Sequence, residues 1–480
     1  MEVVSSIKPI PLPLGGEFFI LLPMKPLSTV AVGIILLLTS CAQTTLNTAT
    51  PVSAVVDVCI ENATAADVLA HSRSTFKEGS ASYLDSDVFR QLRSTALDHG
   101  YRNDQPNTFT VNFARKGSKR AEVTMATDPH FTHVVLSNEV ALANGHGSFR
   151  LGNFVPRHTY YYKVTDGKHL LASGAIQTTG QLRMIRIDNS WNIRDLGGWK
   201  GWGGNAVRYE WIYRGGSLGG QDMNHQTYFL PTADIDELHR LGIRAHLDLR
   251  AEPGQGAWPT DEKINAYTLG YTPLRDAEFA NITTDFALYD ATANTAAVDD
   301  VAWVIQQVRK GNPVYFHCRT GADRTGVVGM TLLTLLGCDE QPSASGGNQV
   351  AIDYELTSLG MDEQGTIAYN TTGIHPYYYS NRYANTIATS SYNYFRTLRS
   401  LQPDNIALTD MQQRSYYYLN RFFLDNDVPG ASRASISKED LDWFINFMLG
   451  ITDHSGQLLP GHTTRFVGPE WGVVRMEDKR

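Results

Sequence analysis

Residues 313–337, PVYFHCRTGADRTGVVGMTLLTLLG, constrain the chain more than any other stretch. PVYFH (313–317) is a short apolar run after a proline and reads as a buried strand. RTGVVGMTLLTLLG (324–337) is apolar almost throughout and closed by a glycine, the pattern of a buried helix. Between them lies a tight loop, CRTGAD (318–323), carrying a cysteine, an arginine and a glycine. A strand, a tight loop and a helix in succession imply an α/β architecture built on a mostly parallel sheet.

The rest of the chain from residue 183 keeps this texture. RAHLDLR (244–250) reads as a short strand. VDDVAWVIQQVRKG (298–311) has helical spacing and ends in Lys310 and Gly311, a normal stop. SKEDLDWFINFMLG (437–450) is an amphipathic helix with a capping-box start at Ser437 and Asp440. The 318–324 loop therefore sits at a helix N-terminus, where free N–H groups and the positive end of the dipole favour an anion. Gly321 allows the backbone to curl so that successive N–H groups face inward. Arg324 offers paired donors to two oxygens of a phosphoryl group. The same field favours the thiolate of Cys318, the nucleophilic form. Thr325 is placed to donate to that sulfur, and His317 to brace the loop.

HCRTGADRTG (317–326) resembles the H-C-x5-R-[ST] signature loop of the cysteine-dependent protein tyrosine phosphatase superfamily. With Asp323 before the arginine it is most like bacterial tyrosine phosphatases with HCxxGKDRTG loops. NIRDLGGW (192–199) is similar to their RDLGG motif, and IYRGGSL (212–218) to their YRS-x-x-L step. DLRAE (248–252) is similar to their DLRS-x-x-E strand end, and DYELTS (353–358) to the DYLLS segment after the loop. The likeness runs over roughly residues 186–450. One departure stands out: Ala322 replaces the usual lysine, which removes a cation expected at the pocket rim and disfavours highly charged polyphosphates.

The resemblance implies a tyrosine-phosphatase-like central sheet flanked by helices over residues 183–480. It also implies two-step hydrolysis of a phosphomonoester through a phosphocysteine on Cys318, with no metal or cofactor. The phosphoryl group would be held by Arg319, Thr320, Gly321, Ala322, Asp323 and Arg324. The general acid stays open between Asp276, in YTPLRDAEF upstream of the loop, and Asp323 within it; Glu278 is a weaker third choice. Arg194 and Asp195 are expected to hold the leading segment to the core. Asp248 and Arg250 are expected either to form an ion pair at a strand end or to support the loop.

The N-terminal side is different in kind. MKPLSTVAVGIILLLTSC (24–41) reads as a signal segment, with Met24 as a candidate start. Its end, LTSC, resembles a bacterial lipobox, which implies acylation of Cys41 and a lipid bilayer as partner, in an extracytoplasmic envelope location. AQTTLNTATPVSA (42–54) reads as a tether, Cys59 as a buried small hydrophobe, and 86–97 as a helix; residues 42–104 are assigned to no domain. Residues 105–182 alternate with period two in TFTVNFA, AEVTMA and HVVLSN. LGNFVPRHTYYYKVTDG (151–167) resembles the corner of fibronectin type III-like domains through Phe154, Pro156, Thr159, Tyr160, Tyr162 and Val164. A small all-β sandwich preceding the α/β part is therefore expected, with its tyrosines in structural positions.

Composition closes off some classes. A chain of 480 residues exceeds one ordinary core. The net charge of −8 and the lack of a Lys/Arg run argue against a nucleic-acid partner. Four cysteines are too few for a disulfide scaffold. A bridge between Cys318 and Cys338 is not expected, because the intervening helix separates its ends by about 20 Å. The leading function is a membrane-anchored extracytoplasmic phosphatase acting on phosphotyrosine or a related phosphoprotein, with a phosphorylated protein or a small phosphomonoester as its partner. The alternatives are an inositol phosphate or phosphoinositide phosphatase and, from another class, a non-catalytic phosphate-binding or adhesion lipoprotein. The tyrosine-rich stretch 375–395 is expected to be packed surface rather than a substrate-facing wall.

Overall fold

The computed structural model describes residues 52–58, 106–188, 190–218, 220–221, 227–228, 230–250, 277–281, 296–318, 321–338, 349–357, 398, 407–424 and 436–469. Cys41, Cys59, the 86–97 helix, Asp276, Arg319, Thr320 and the 375–395 stretch lie outside these residues, as does the side chain of Asp323. All described residues fall within one compact unit, Thr45–Arg480.

Seven strands come first: β1 (Val52–Asp57), β2 (Phe109–Ala114), β3 (Arg120–Ala126), β4 (Val134–Ala141), β5 (His146–Leu151), β6 (Thr159–Thr165) and β7 (Leu170–Thr179). Five form a sheet of order β1-β7-β6-β3-β4, and β2 pairs with β5 in a second, two-stranded sheet. The two sheets share one apolar cluster, with Val111 and Phe113 of β2 beside Val123, Met125, Tyr162, Val164 and Ile176. Period-two alternation fixes which residues enter it: Tyr160, Tyr162 and Val164 of β6 are buried and their neighbours are not. The Tyr160 hydroxyl accepts the Val155 N–H at 2.9 Å and closes the corner before β6.

The first strand corrects the expected layout. β1 pairs in parallel with β7, from Val52 against Gly174 to Asp57 against Thr179. A tether running to residue 54 and a β unit starting at 105 both miss it. Parallel pairing with a strand far along the chain carries no local turn signal, so nothing near residue 52 announces the partner.

The α/β part contains β8 (Arg194–Asp195), β9 (Ile212–Gly215), β10 (Gly220–Gln221), β11 (Thr227–Tyr228), α1 (Thr232–Arg240), β12 (Ala245–Asp248), β13 (Glu278–Asn281), α2 (Ala296–Lys310), β14 (Val314–His317), α3 (Asp323–Leu335), α4 (Gln349–Glu355), α5 (Met411–Leu424) and α6 (Lys438–Met448). Its sheet has the order β13-β12-β14-β9-β8, with β10 and β11 forming a separate pair. β13, β12, β14 and β9 are parallel, and β8 runs antiparallel to β9.

Both faces of this sheet are covered. Val314 and Phe316 join Val301, Val304 and Ile305 of α2, the apolar side chains of α3, and Phe444 and Ile445 of α6. Tyr315 and Tyr213 point the other way, to Leu238 of α1 and to Leu241 and Ile243. Strands buried on both faces read as continuous apolar runs, which is why PVYFH shows no alternation. α3 is enclosed: Val327, Val328, Met330, Leu332, Leu333 and Leu335 are all fully buried. At the start of α6, Ser437 Oγ accepts the Asp440 N–H at 3.2 Å and Asp440 Oδ2 accepts the Ser437 N–H at 3.0 Å, the expected capping box.

The β part is docked on the α/β part through buried polar contacts. Arg183 donates to the carbonyls of Asn153 at 2.9 Å and Phe154 at 3.1 Å, and to Asp195 Oδ2 at 3.0 Å. The Asn153 side chain accepts the Arg186 N–H at 2.6 Å, donates to the Arg186 carbonyl at 3.0 Å, and also bonds Glu237 of α1.

Candidate active site

The register of the parallel strands sets Gly215, Asp248, Asn281 and His317 side by side at the carboxyl edge of the sheet. That edge is where open α/β sheets hold ligands. Cys318 leaves the central strand there, and α3 begins at Asp323. The Cys318 N–H donates to Thr325 Oγ1 at 2.7 Å, so the first loop residue is tied to the first turn of the helix. The Thr325 hydroxyl thus acts as an acceptor toward the loop backbone and keeps its own proton to donate. Arg324 is partly exposed, and its Nη1 donates to the Leu249 carbonyl at 3.2 Å. Cys318 is buried, as is Cys338.

Gly321 occupies the left-handed region at φ 72°. Its carbonyl turns into the protein, where it accepts from Arg214 Nη2 at 2.9 Å and Asn192 Nδ2 at 3.0 Å. Asp353 of α4 holds both arginines of the motif strands, Arg214 Nη1 at 2.7 Å and Arg194 Nε at 2.9 Å. Burial works against the Asp353 carboxylate, but the two guanidiniums outweigh it and hold the carboxyl below its usual range. Burial brings Arg214 down to about 10, which leaves it charged at neutral pH.

The histidine of the signature has a defined proton arrangement. His317 Nδ1 lies 2.6 Å from the Cys318 carbonyl, which can only accept, so Nδ1 carries the proton. Burial lowers His317 to about 4 and His246 well below the usual range, so both rings are neutral at pH 7. His317 Nε2 is then bare and accepts from His246 Nε2, 2.7 Å away. Beside them, Arg250 Nη2 and Asp248 Oδ2 form a buried ion pair at 2.6 Å, with Asp248 Oδ1 3.9 Å from His317 Nδ1. The ion pair stands at the strand end, the first of the two places expected for it.

One expectation is corrected. Glu278 opens β13 and is paired with Ala245, so it stands at the amino edge of the sheet, not beside Cys318. Its carboxylate is exposed and accepts from Lys310 Nζ and Gln307 Nε2, each at 2.7 Å. Ala322 is 1% exposed and packed into the main apolar cluster. Arg194 and Asp195 are buried: Arg194 bonds Asp353, and Asp195 bonds Arg183.

Five residues with roles here went unassigned in the sequence: Asn192, Arg214, Asp353, His246 and Arg183. A signal existed for two of them. Arg214 in IYRG and His246 in AHLD interrupt strands that are otherwise apolar and buried on both faces. A charged or polar side chain there needs a partner, so each marks a built contact.

Residues 185–413 match the model of the tyrosine phosphatase family. By sequence, the α/β part is tyrosine-phosphatase-like. A Cupriavidus necator protein named "Putative tyrosine-protein phosphatase" is 26% identical over 170 residues, which is 32% of this chain and 58% of that protein. The chain thus spans a little over half the length of this curated relative. Two solved structures of P. aeruginosa TpbA also match, one of them in complex with pTyr. They cover 32% and 40% of this chain and 71% and 89% of their own, at 13% and 12% identity and TM-scores of 0.18 and 0.19. Scores this low establish no shared architecture.

Proposed function

We propose that this protein hydrolyses phosphomonoesters through a phosphocysteine, with phosphotyrosine in a protein as the preferred substrate. The placement of Cys318 supports the reading most directly. The thiol stands at the carboxyl end of the central strand, close before the N-terminus of α3, in a loop whose Gly321 carbonyl is turned to Arg214. The Cys318 thiolate attacks phosphorus and forms the S–P bond as the P–O bond to the leaving group breaks. Loop N–H groups and Arg324 stabilise the three equatorial oxygens. A carboxylic acid gives its proton to the leaving oxygen, and Asp276 and Asp323 are the candidates. Water then attacks phosphorus, the carboxylate takes its proton, and the S–P bond breaks to release phosphate and the thiolate.

The chain's other parts extend the proposal. The Tyr160–Val155 corner and the two sheets sharing one core support a fibronectin type III-like sandwich in front of the phosphatase part. Residues 24–41 support an envelope location with Cys41 acylated.

Phosphate release by the purified protein tests the reading. The substrates are a phosphotyrosine peptide, a phosphoserine peptide and an inositol polyphosphate, with Cys318→Ser as control. Turnover of the phosphotyrosine peptide above the others, lost in the variant, is the expected result. Preference for the inositol polyphosphate would replace the substrate class. No turnover under reducing conditions would leave a binding protein.

A further inference from the structure

We propose that Arg214, with Asn192, is a positioning residue that holds the signature loop in its anion-binding shape, and that Asp353 and Gly329 set Arg214 for this task. The inference rests on the reading of the loop as a phosphoryl cradle and gives a role to residues that lie in the motifs NIRDLGGW, IYRGGSL and DYELTS without an assigned one.

The loop must put its N–H groups on the concave side, which requires at least one carbonyl to turn outward into the protein. Gly321 is that residue. Its carbonyl would be buried without a partner, at real cost, unless donors met it. Arg214 Nη2 and Asn192 Nδ2 meet it at 2.9 and 3.0 Å, and both side chains are buried. Arg214 cannot swing away, because Nη1 of the same guanidinium is held by Asp353 at 2.7 Å. The fork geometry of arginine suits this double attachment, with a separate nitrogen for each acceptor; a lysine offers its three donors from one compact ammonium. Arg194 holds the second oxygen of Asp353 at 2.9 Å, so the carboxylate is fixed from both sides.

The helix behind the loop is shaped for the same contact. A Cβ at Gly329 of α3 would come within 2.7 Å of Arg214 Nη1. The glycine leaves the space through which the guanidinium reaches both Asp353 and the Gly321 carbonyl. Two side chains distant in sequence from the loop, Arg214 and Asn192, thus converge on one carbonyl oxygen.

Anion affinity reads this role directly, and turnover alone does not. The rate at which iodoacetamide alkylates Cys318 is followed by mass spectrometry against rising inorganic phosphate, in the wild type and in Arg214→Met, Arg214→Lys and Asn192→Asp. KM and kcat for the phosphotyrosine peptide are measured alongside. In Arg214→Met the phosphate concentration giving half-protection should rise about tenfold or more, the scale of one lost hydrogen bond. Arg214→Lys should fall between, and KM should rise by more than kcat falls. Should Arg214→Met fail to fold, Asn192→Asp, which puts an acceptor oxygen opposite the Gly321 carbonyl, carries the same expectation. Half-protection within about twofold of wild type in folded variants would overturn the clamp alone. No protection by phosphate in the wild type would take down the anion site and the clamp with it.

Discussion

His246 donates a hydrogen bond from Nε2 to the bare Nε2 of His317, 2.7 Å away, and His317 donates its one N–H, at Nδ1, to the carbonyl of Cys318. His317 must be neutral for this chain to form, since a proton on its Nε2 would put two hydrogens between the facing nitrogens. Burial is the main reason that His317 titrates near 4 and His246 well below its usual range. In the unfolded chain each would take a proton near pH 6.5. The contribution to stability is therefore complete above about pH 6.5 and is lost as the pH falls from there toward 4. For His317 alone the drop from 6.5 to about 4 corresponds to about 3 kcal/mol.

The prediction is a fall in the urea midpoint between pH 7.5 and pH 5. His246→Phe should be less stable at pH 7.5 and should lose less on acidification. Asp248 and Asp353 do not confuse this window. Their carboxyls are held below the usual range, so what they contribute is lost only below about pH 4. Equal losses in wild type and His246→Phe would show that the pair is not the source.

Glu278 gives a second prediction, from its position at the amino edge of the sheet. Glu278→Gln should keep kcat/KM within about twofold and change stability by no more than about 1 kcal/mol, because its ion pair with Lys310 is exposed. Steady-state kinetics on the phosphotyrosine peptide decide it. A loss of tenfold or more would return Glu278 to the list of candidate acids.

How much of this could be read beforehand depended on sequence distance. β14, α3 and α6 were legible because their signals are local: an apolar run, a closing glycine, and Ser437 three residues before Asp440. The ends of the signature loop were legible for the same reason. β1 was not, since its partner β7 lies far along the chain. The support of the loop was also hidden, because Arg214 meets Asp353 across 139 positions and Asn192 meets Gly321 across 129. Within their own segments these residues look like ordinary polar positions. Only the buried strands around Arg214 and His246 made them anomalous.

Arg183 carries a third prediction, about how the β part is held. It is buried, ion-paired with Asp195, and bonded to two carbonyls of the corner at Asn153 and Phe154. Arg183→Met leaves the Asp195 carboxylate buried without its cation, at a cost of about 3–5 kcal/mol. The double variant Arg183→Met/Asp195→Asn should recover part of this, because the amide has no charge to strand. Chemical denaturation of the two variants tests the pair. A double variant no more stable than the single one would mean that the lost stability lies in the corner carbonyls instead.

Gly321 carries the last prediction, since it joins the backbone geometry of the loop to the chemistry. At φ 72° any side chain is strained, and a Cβ there would lie 2.4 Å from the carbonyl carbon and oxygen of Gly215 and 2.8 Å from the Gly216 nitrogen. These are backbone atoms of β9 and its exit and cannot step aside as a side-chain tip could. Gly321→Ala must therefore push the loop off β9, which breaks the bonds of its carbonyl to Arg214 and Asn192 and rotates the inward N–H groups. kcat/KM should fall on the order of 100-fold or more, as when a preorganised oxyanion donor is lost. Gly117→Ala is the control: its φ is 88°, but a Cβ there meets nothing within 4 Å. It should cost about 1 kcal/mol of stability for the strained backbone and leave kcat/KM unchanged. A Gly321→Ala enzyme with wild-type kcat/KM would mean that the cradle does not depend on this turn, and equal effects at both glycines would reduce the result to backbone strain alone.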